Sequence, residues 1–299
     1  MSEGSPIKAH IILTFIAVLG RLPLSIARGL GGGIGRLIWR LNTREVKVTR
    51  KNLALCFPAM DEAERTQLAR NSVIESAKLS LEILLVWQRR REWLMGKIVN
   101  VQGTELFVGT DDEKRGVILL APHIGNWEVL GLYASTLREM ASLYQPPKQA
   151  FLEPVMTGGR EKYGAKLLPT DVKGVAGVLK YLKRGSATGI LPDQVPADAG
   201  GRYANFYGTP AYTMTLICRL IAKTGCRVVA GAALRIPGGF KIIFQEVPED
   251  IFSSDEETAL TAMNKAVEDV VALCPEQYQW EYKRFKKTEP GKVGAYKNL

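Results

Sequence analysis

The chain of 299 residues is 46% hydrophobic and carries 40 lysines and arginines against 30 acidic residues, a net charge of +10. That length and apolar content supply a substantial core and exclude an intrinsically disordered chain or a small disulfide-held scaffold. The positive balance favours anionic partners, yet the sign alone does not separate nucleic acid, membrane surface, phosphorylated substrate and acidic carrier protein.

The first distinctive stretch is "AHIILTFIAVLG", from Ala9 to Gly20. As a helix it covers only ~18 Å of the ~30 Å hydrocarbon layer of a bilayer, too little to span unaided. The continuation "RLPLSIARGLGGGIGRLIWRL" would gather Arg21, Arg28, Arg36 and Arg40 on one broad helical face, opposite leucine, isoleucine and tryptophan. Pro23 and the run Gly31 to Gly33 predict breaks. An apolar stretch followed by a basic amphipathic one reads as a membrane-associating helical segment, residues 1–40, lying in or dipping into an anionic leaflet from the cytoplasmic side. A signal peptide ending near "SIA" and an ordinary buried helix are the competing readings.

Residues 41–96 have helical texture, with "REVKVTRKNLALCFP" as one amphipathic segment and "DEAERTQLARNSVIESAKLSLEILLVW" as another, opened by acidic residues that suit a helix N-terminus. From about residue 97 the pattern changes. The short runs "KIVNVQG", "GVILLAP", "ATGILP", "RVVAGAALRI" and "GFKIIFQEV" alternate with helical stretches. This predicts an α/β fold, a mixed, mostly parallel sheet sandwiched by helices, over 97–274, with a basic C-terminal tail at 275–299. No linker separates the parts, so 41–299 is expected to form one domain carrying the N-terminal extension. In such folds sites gather at the carboxyl ends of strands, where "APHIGNWE" and "LPDQVP" both stand.

His123 is one of only two histidines. With Asn126 as a helix N-cap, Glu128 falls in the first helical turn and is expected to fold back onto the imidazole, Gly125 permitting the tight approach. A carboxylate on one ring nitrogen fixes the tautomer and leaves the other nitrogen to take a proton from a hydroxyl. A histidine satisfied by local hydrogen bonds is the plain alternative. No GxSxG elbow is present, no phosphate-binding glycine loop follows a strand, and Cys56, Cys218, Cys226 and Cys274 are too scattered for a zinc site. What remains is direct transfer to a bound acceptor, without covalent intermediate, metal or cofactor.

The residues carrying this chemistry resemble a known family. His123 to Glu128 looks like the HxxxxD/E motif of the lysophospholipid acyltransferase superfamily. "NLALCFP", "APHIGNWE", "GGREKYG", "LPDQVPADAGGRYANFYGTPAYT" and "PEQYQWEYKRFKKTEPG" together resemble the bacterial lipid A biosynthesis acyltransferases, the late lauroyl or myristoyl transferases, over most of the chain. The resemblance implies transfer of a fatty acyl chain from acyl carrier protein to a hydroxyl of a lipid A precursor at the cytoplasmic face of the inner membrane. It implies no nucleic acid partner. Acidic carrier, phosphorylated glycolipid and anionic lipids of the inner membrane would all suit a net positive chain.

Carried over residue by residue, the resemblance makes His123 the general base and Glu128 its orienting carboxylate, with Asn126 beside them at the substrate. Arg160 would bind an anionic group or the developing oxyanion, or else serve as a structural helix arginine. Asp193 and Gln194 would position substrate or order their turn. Phe206, Tyr207 and Gly208 would shape a wall of an acyl tunnel or pack the core. Arg284, with Lys283, Lys286 and Lys287, would form a substrate-binding basic element or a solvated tail. Glu281 departs from the family pattern, where several relatives are more basic after the C-terminal tryptophan. Two other functions remain open at this point: the same reaction on a different glycolipid or amino-acid lipid, and a non-catalytic membrane-surface binding protein of the same fold.

Overall fold

The computed structural model describes residues 6–110, 115–297 and 299. Helices α1 (Pro6–Leu19), α2 (Leu24–Arg40), α3 (Arg44–Cys56), α4 (Glu62–Gln88) and the short α5 (Arg91–Met95) come first. The α/β part follows as β1 (Ile98–Gln102), α6 (Thr104–Val108), β2 (Val117–Leu120), α7 (Trp127–Leu137), β3 (Ala141–Tyr144), α8 (Glu153–Glu161), β4 (Lys166–Pro169), α9 (Val172–Lys183) and β5 (Ala187–Ile190). It ends with β6 (Gly201–Phe206), β7 (Thr209–Met214), α10 (Leu216–Thr224), β8 (Arg227–Ile236), β9 (Gly239–Gln245) and α11 (Glu256–Ala272).

The main sheet has the order β1-β9-β8-β2-β5. Its pairs are parallel except β8 with β9, which are joined by a tight turn at Gly238. A parallel pair β3-β4 continues from β5 through a bridge between Met140 and Ala187, and β6-β7 is a separate hairpin. The expected fold class is the one observed. The central strand β2 shows why the sheet is covered on both faces: Ile118 and Leu120 join a core with α9, α10 and α11, while Val117 and Leu119 join another with α4, α6 and α7. Side chains alternate across a strand, so an uninterrupted apolar run demands apolar cover on both sides.

The N-terminal helices depart from expectation in two respects. The chain breaks at Pro23, where α1 and α2 meet at 120°, but Gly31 to Gly33 lie inside α2. A Cβ on Gly31 would stand 2.6 Å from Lys78 Cα, and one on Gly35 2.6 Å from Ile74 Cα. The glycines therefore form a smooth face that lets α2 lie backbone to backbone on α4. Arg28 also leaves the predicted basic face. Its guanidinium turns inward to Glu82 at 2.6 Å and to the carbonyls of Ile236 and Gly239. Arg21, Arg36 and Arg40 remain exposed. Among the described residues no single helix is long and apolar enough to cross a membrane, although the bent pair α1 and α2 passes that test together.

Candidate active site

The parallel pairing of β2 with β5 brings the loops after both strands to one edge. "PHIGNW" leaves β2 and "LPDQVP" leaves β5. The first loop is itself built into the sheet. Ile124 bridges Tyr278, Gly125 bridges Ala233, and the N–H of Gln279 donates to the carbonyl of His123 at 2.9 Å. Gly125 has φ +61°, and a Cβ there would lie 2.1 Å from the Ala233 carbonyl oxygen, so the backbone turns where only glycine fits.

At this edge His123 meets Asp193. Its Nδ1 lies 2.8 Å from Asp193 Oδ1, and its backbone N–H donates to Oδ2 at 2.8 Å. Burial pushes the Asp193 carboxyl up, but the imidazole and these hydrogen bonds more than offset it and hold the group below the ordinary aspartate range. An ionised carboxylate accepts only, so Nδ1 carries the ring proton and Nε2 presents its lone pair. Gln194 places its amide nitrogen 3.1 Å from that Nε2, where it donates. Trp127 stands edge-on to the ring at 4.7 Å between centroids.

The expected contact between Glu128 and the imidazole is not made. Glu128 forks instead with Arg160 of α8, whose Nε lies 3.0 Å from both carboxylate oxygens while Nη2 adds a further bond. A buried carboxylate needs a charged partner, and the planar guanidinium supplies a bidentate one. Burial works against the charge of Arg160, but Glu128 outweighs it and raises the group. Trp87 and Tyr144 stack near the guanidinium, 5.8 and 5.7 Å from their ring centroids. The pair borders a cavity of about 130 Å³. Its remaining lining is mainly apolar, with Leu119, Leu132, Met140, Leu143 and Leu191 prominent. Lys162 lies near Glu128, and burial lowers its ammonium to about 8.

Asn126 is fully buried, with its carboxamide oxygen accepting from the Val129 N–H at 3.3 Å and its nitrogen 3.3 Å from Glu82, so the protein engages both ends of the amide. Arg284 does not lie in a solvated tail. It is 3% exposed and donates to the Tyr212 carbonyl and the Thr213 hydroxyl, clamping the C-terminal segment to β7. Lys283, Lys286 and Lys287 lie over the rings of Tyr296, Tyr282 and Tyr212. Phe206 packs in the core, and Tyr207 and Gly208 form the β6-β7 turn, away from the Arg160 cavity. Glu281 accepts a hydrogen bond from Ser76 of α4, and burial raises its carboxyl. Trp87 and Tyr144 had no motif to mark them, and Lys162 and Tyr282, though inside "GGREKYG" and "PEQYQWEYKRFKKTEPG", were not singled out there. Only their convergence from separate elements marks them.

The sequence profile of the bacterial lipid A biosynthesis acyltransferases matches residues 5–287. A lipid A biosynthesis lauroyltransferase of Escherichia coli (strain K12) is 30% identical over 286 residues, covering 92% of this chain and 90% of that one. The palmitoleoyltransferase of the same organism is 25% identical over 283 residues, with coverage of 92% and 90%. Its myristoyltransferase is 27% identical over 269 residues, with 88% and 82%. Among solved structures, the 1-acyl-sn-glycerophosphate acyltransferase of Thermotoga maritima aligns with a TM-score of 0.40 at 17% identity, covering 83% of this chain and 98% of that one. With a profile match over nearly its whole length and relatives aligned almost end to end, the chain belongs to the bacterial lipid A biosynthesis acyltransferase family.

Proposed function

We propose that the protein moves a fatty acyl chain from an acyl carrier protein thioester to a hydroxyl of a lipid A precursor, by direct transfer at the cytoplasmic face of the inner membrane. The observation that carries this reading is His123 at a strand end with its Nδ1 2.8 Å from the buried Asp193 carboxylate, an arrangement that favours the ring proton on Nδ1 and leaves Nε2 its lone pair. Nε2 takes the proton of the acceptor hydroxyl as its oxygen attacks the thioester carbonyl. The C–S bond then breaks, and the proton passes from the imidazolium to the leaving sulfur. Asp193 stabilises the imidazolium between these steps.

Glu128 acts one step removed. Its fork fixes Arg160, whose guanidinium at the cavity can stabilise the carbonyl oxygen as it becomes negative. The largely apolar remainder of that cavity suits hydrocarbon. Direct transfer is supported by the thiols as well. Burial raises all four cysteines, Cys274 to about 12, so none is an activated nucleophile. Exposed apolar side chains on α1 and α2 support attachment to a leaflet.

Purified protein with a lauroyl carrier thioester and a lipid A precursor tests the reading, with mass spectrometry of the acceptor and of the intact protein. The expected result is one added acyl chain on the acceptor and an unmodified protein mass. An acceptor left unchanged, or a stable acyl adduct on serine or cysteine, refutes it.

A further inference from the structure

We propose that Gln194 is a guard on the base: its amide occupies the lone pair of His123 Nε2 until the acceptor hydroxyl displaces it, and so keeps water from being activated against the thioester. The proposal rests on His123 being the general base. An acyl donor that must wait for its acceptor beside a competent base is open to hydrolysis, because water reaches any exposed lone pair. In that unwanted step the oxygen of water attacks the thioester carbonyl carbon, its proton passes to Nε2 and on to the departing sulfur, and the products are free fatty acid and carrier thiol.

The geometry closes this route from each side. The ring's Nδ1 is taken by Asp193, its face meets the edge of Trp127, and Gln194 covers Nε2 at 3.1 Å. The imidazole side chain is left 12% exposed. Because Asp193 dictates which nitrogen holds the proton, it also dictates that Gln194 presents its N–H rather than its carbonyl, the one end of the amide able to cap a lone pair.

The backbone on either side of Gln194 is pinned. Asp193 accepts from the His123 N–H, and the Val195 N–H donates to the Tyr282 hydroxyl at 2.9 Å. The side chain, with that one hydrogen bond among the described residues, leaves by a change of rotamer while the loop stays in place. A hydroxyl replaces the amide as donor to Nε2, so the exchange conserves the hydrogen bond. Acceptor and water offer the same O–H, but a lipid acceptor held by the rest of its body is already positioned, whereas water has no such binding energy to draw on.

Gln194→Ala, the milder Gln194→Asn and the double variant His123→Ala/Gln194→Ala are compared with the parent chain. Each is given acyl carrier thioester without acceptor, for release of fatty acid, and with lipid acceptor, for transfer. The ratio of hydrolysis to transfer is expected to rise about tenfold in both single variants, a fraction of the 10² to 10⁴-fold that a competent general base contributes. The gain in hydrolysis should vanish in the double variant, since it runs through His123. A ratio unchanged from the parent in both single variants, with their thermal midpoints intact, overturns the guard. So does a gain that survives loss of His123. If the parent transfers no acyl chain, the general-base reading fails first and the guard falls with it, an outcome distinct from a parent that transfers while its Gln194 variants keep the parental ratio.

Discussion

One carboxylate holds His123 twice, through its ring and through its backbone. Asp193→Asn keeps the shape but loses the charge that stabilises the imidazolium, and is expected to lower turnover by about 10² to 10⁴-fold. Adding His123→Ala to it should cost little more, as for residues that act as one unit. The same pair leaves a trace in stability. A carboxyl held below its unfolded value of about 3.9 contributes fully above that pH, and its contribution fades as pH falls through the folded value. The thermal midpoint of the parent should therefore exceed that of Asp193→Asn at pH 6, and the gap should narrow on acidification below about pH 4. His123 was legible in the sequence because it follows an apolar strand and has few rivals. Its carboxylate was not, since Glu128 is near in sequence while Asp193, 70 residues away, is near only once β2 and β5 pair.

The glycines of α2 show the same limit at the scale of an element. The run Gly31 to Gly33 reads as a break because glycine is a poor helix former, costing about 1 kcal/mol against alanine at an interior site. What the run encodes is a contact with α4 that becomes visible only beside the partner helix. Gly35→Ala pushes a Cβ against Ile74 backbone and should lower the thermal midpoint. Gly33→Ala meets nothing within 4 Å and should raise stability by about 0.5–1 kcal/mol. Thermal or denaturant unfolding of the two variants checks both signs. By contrast the runs that became β1, β2, β5, β8 and β9 were plain in the sequence, each a short apolar stretch bounded by glycine, proline or polar residues.

Across the whole molecule, apolar surface is concentrated at the N-terminus. Ile7, Ile11, Phe15 and Val18 on α1 and Ile26, Leu30, Ile34 and Leu37 on α2 are each about half exposed or more, 47% at the least. Among the described residues these helix faces are left largely uncovered, while the opposite face of α2 is sealed on α4. Replacing Ile11, Phe15 and Leu37 together by glutamate should leave the thermal midpoint nearly unchanged and strongly reduce cosedimentation with vesicles containing anionic lipid. Equal binding of the triple variant would mean that another surface carries the attachment. Buried charge meanwhile falls on both signs, Arg235 and Arg284 against Glu82, Glu128 and Asp193, so burial does not diminish the net positive charge that a partner meets.

The loop bearing His123 is hydrogen-bonded to Gln277 and Gln279 and bridged at Tyr278. Those residues leave the ribosome long after "PHIGNW" has emerged, and until they arrive that side of the loop lacks these contacts. Translation thus sets the order in which the site can be completed: histidine and aspartate are made first, and the histidine loop is finished only once residues 277–279 have followed. A chain stopped after residue 274 should keep its N-terminal helices able to reach a membrane yet release no product from a carrier thioester. A copy that stops before Gln277 then carries His123 and Asp193 without the contacts from residues 277–279 that hold the histidine loop.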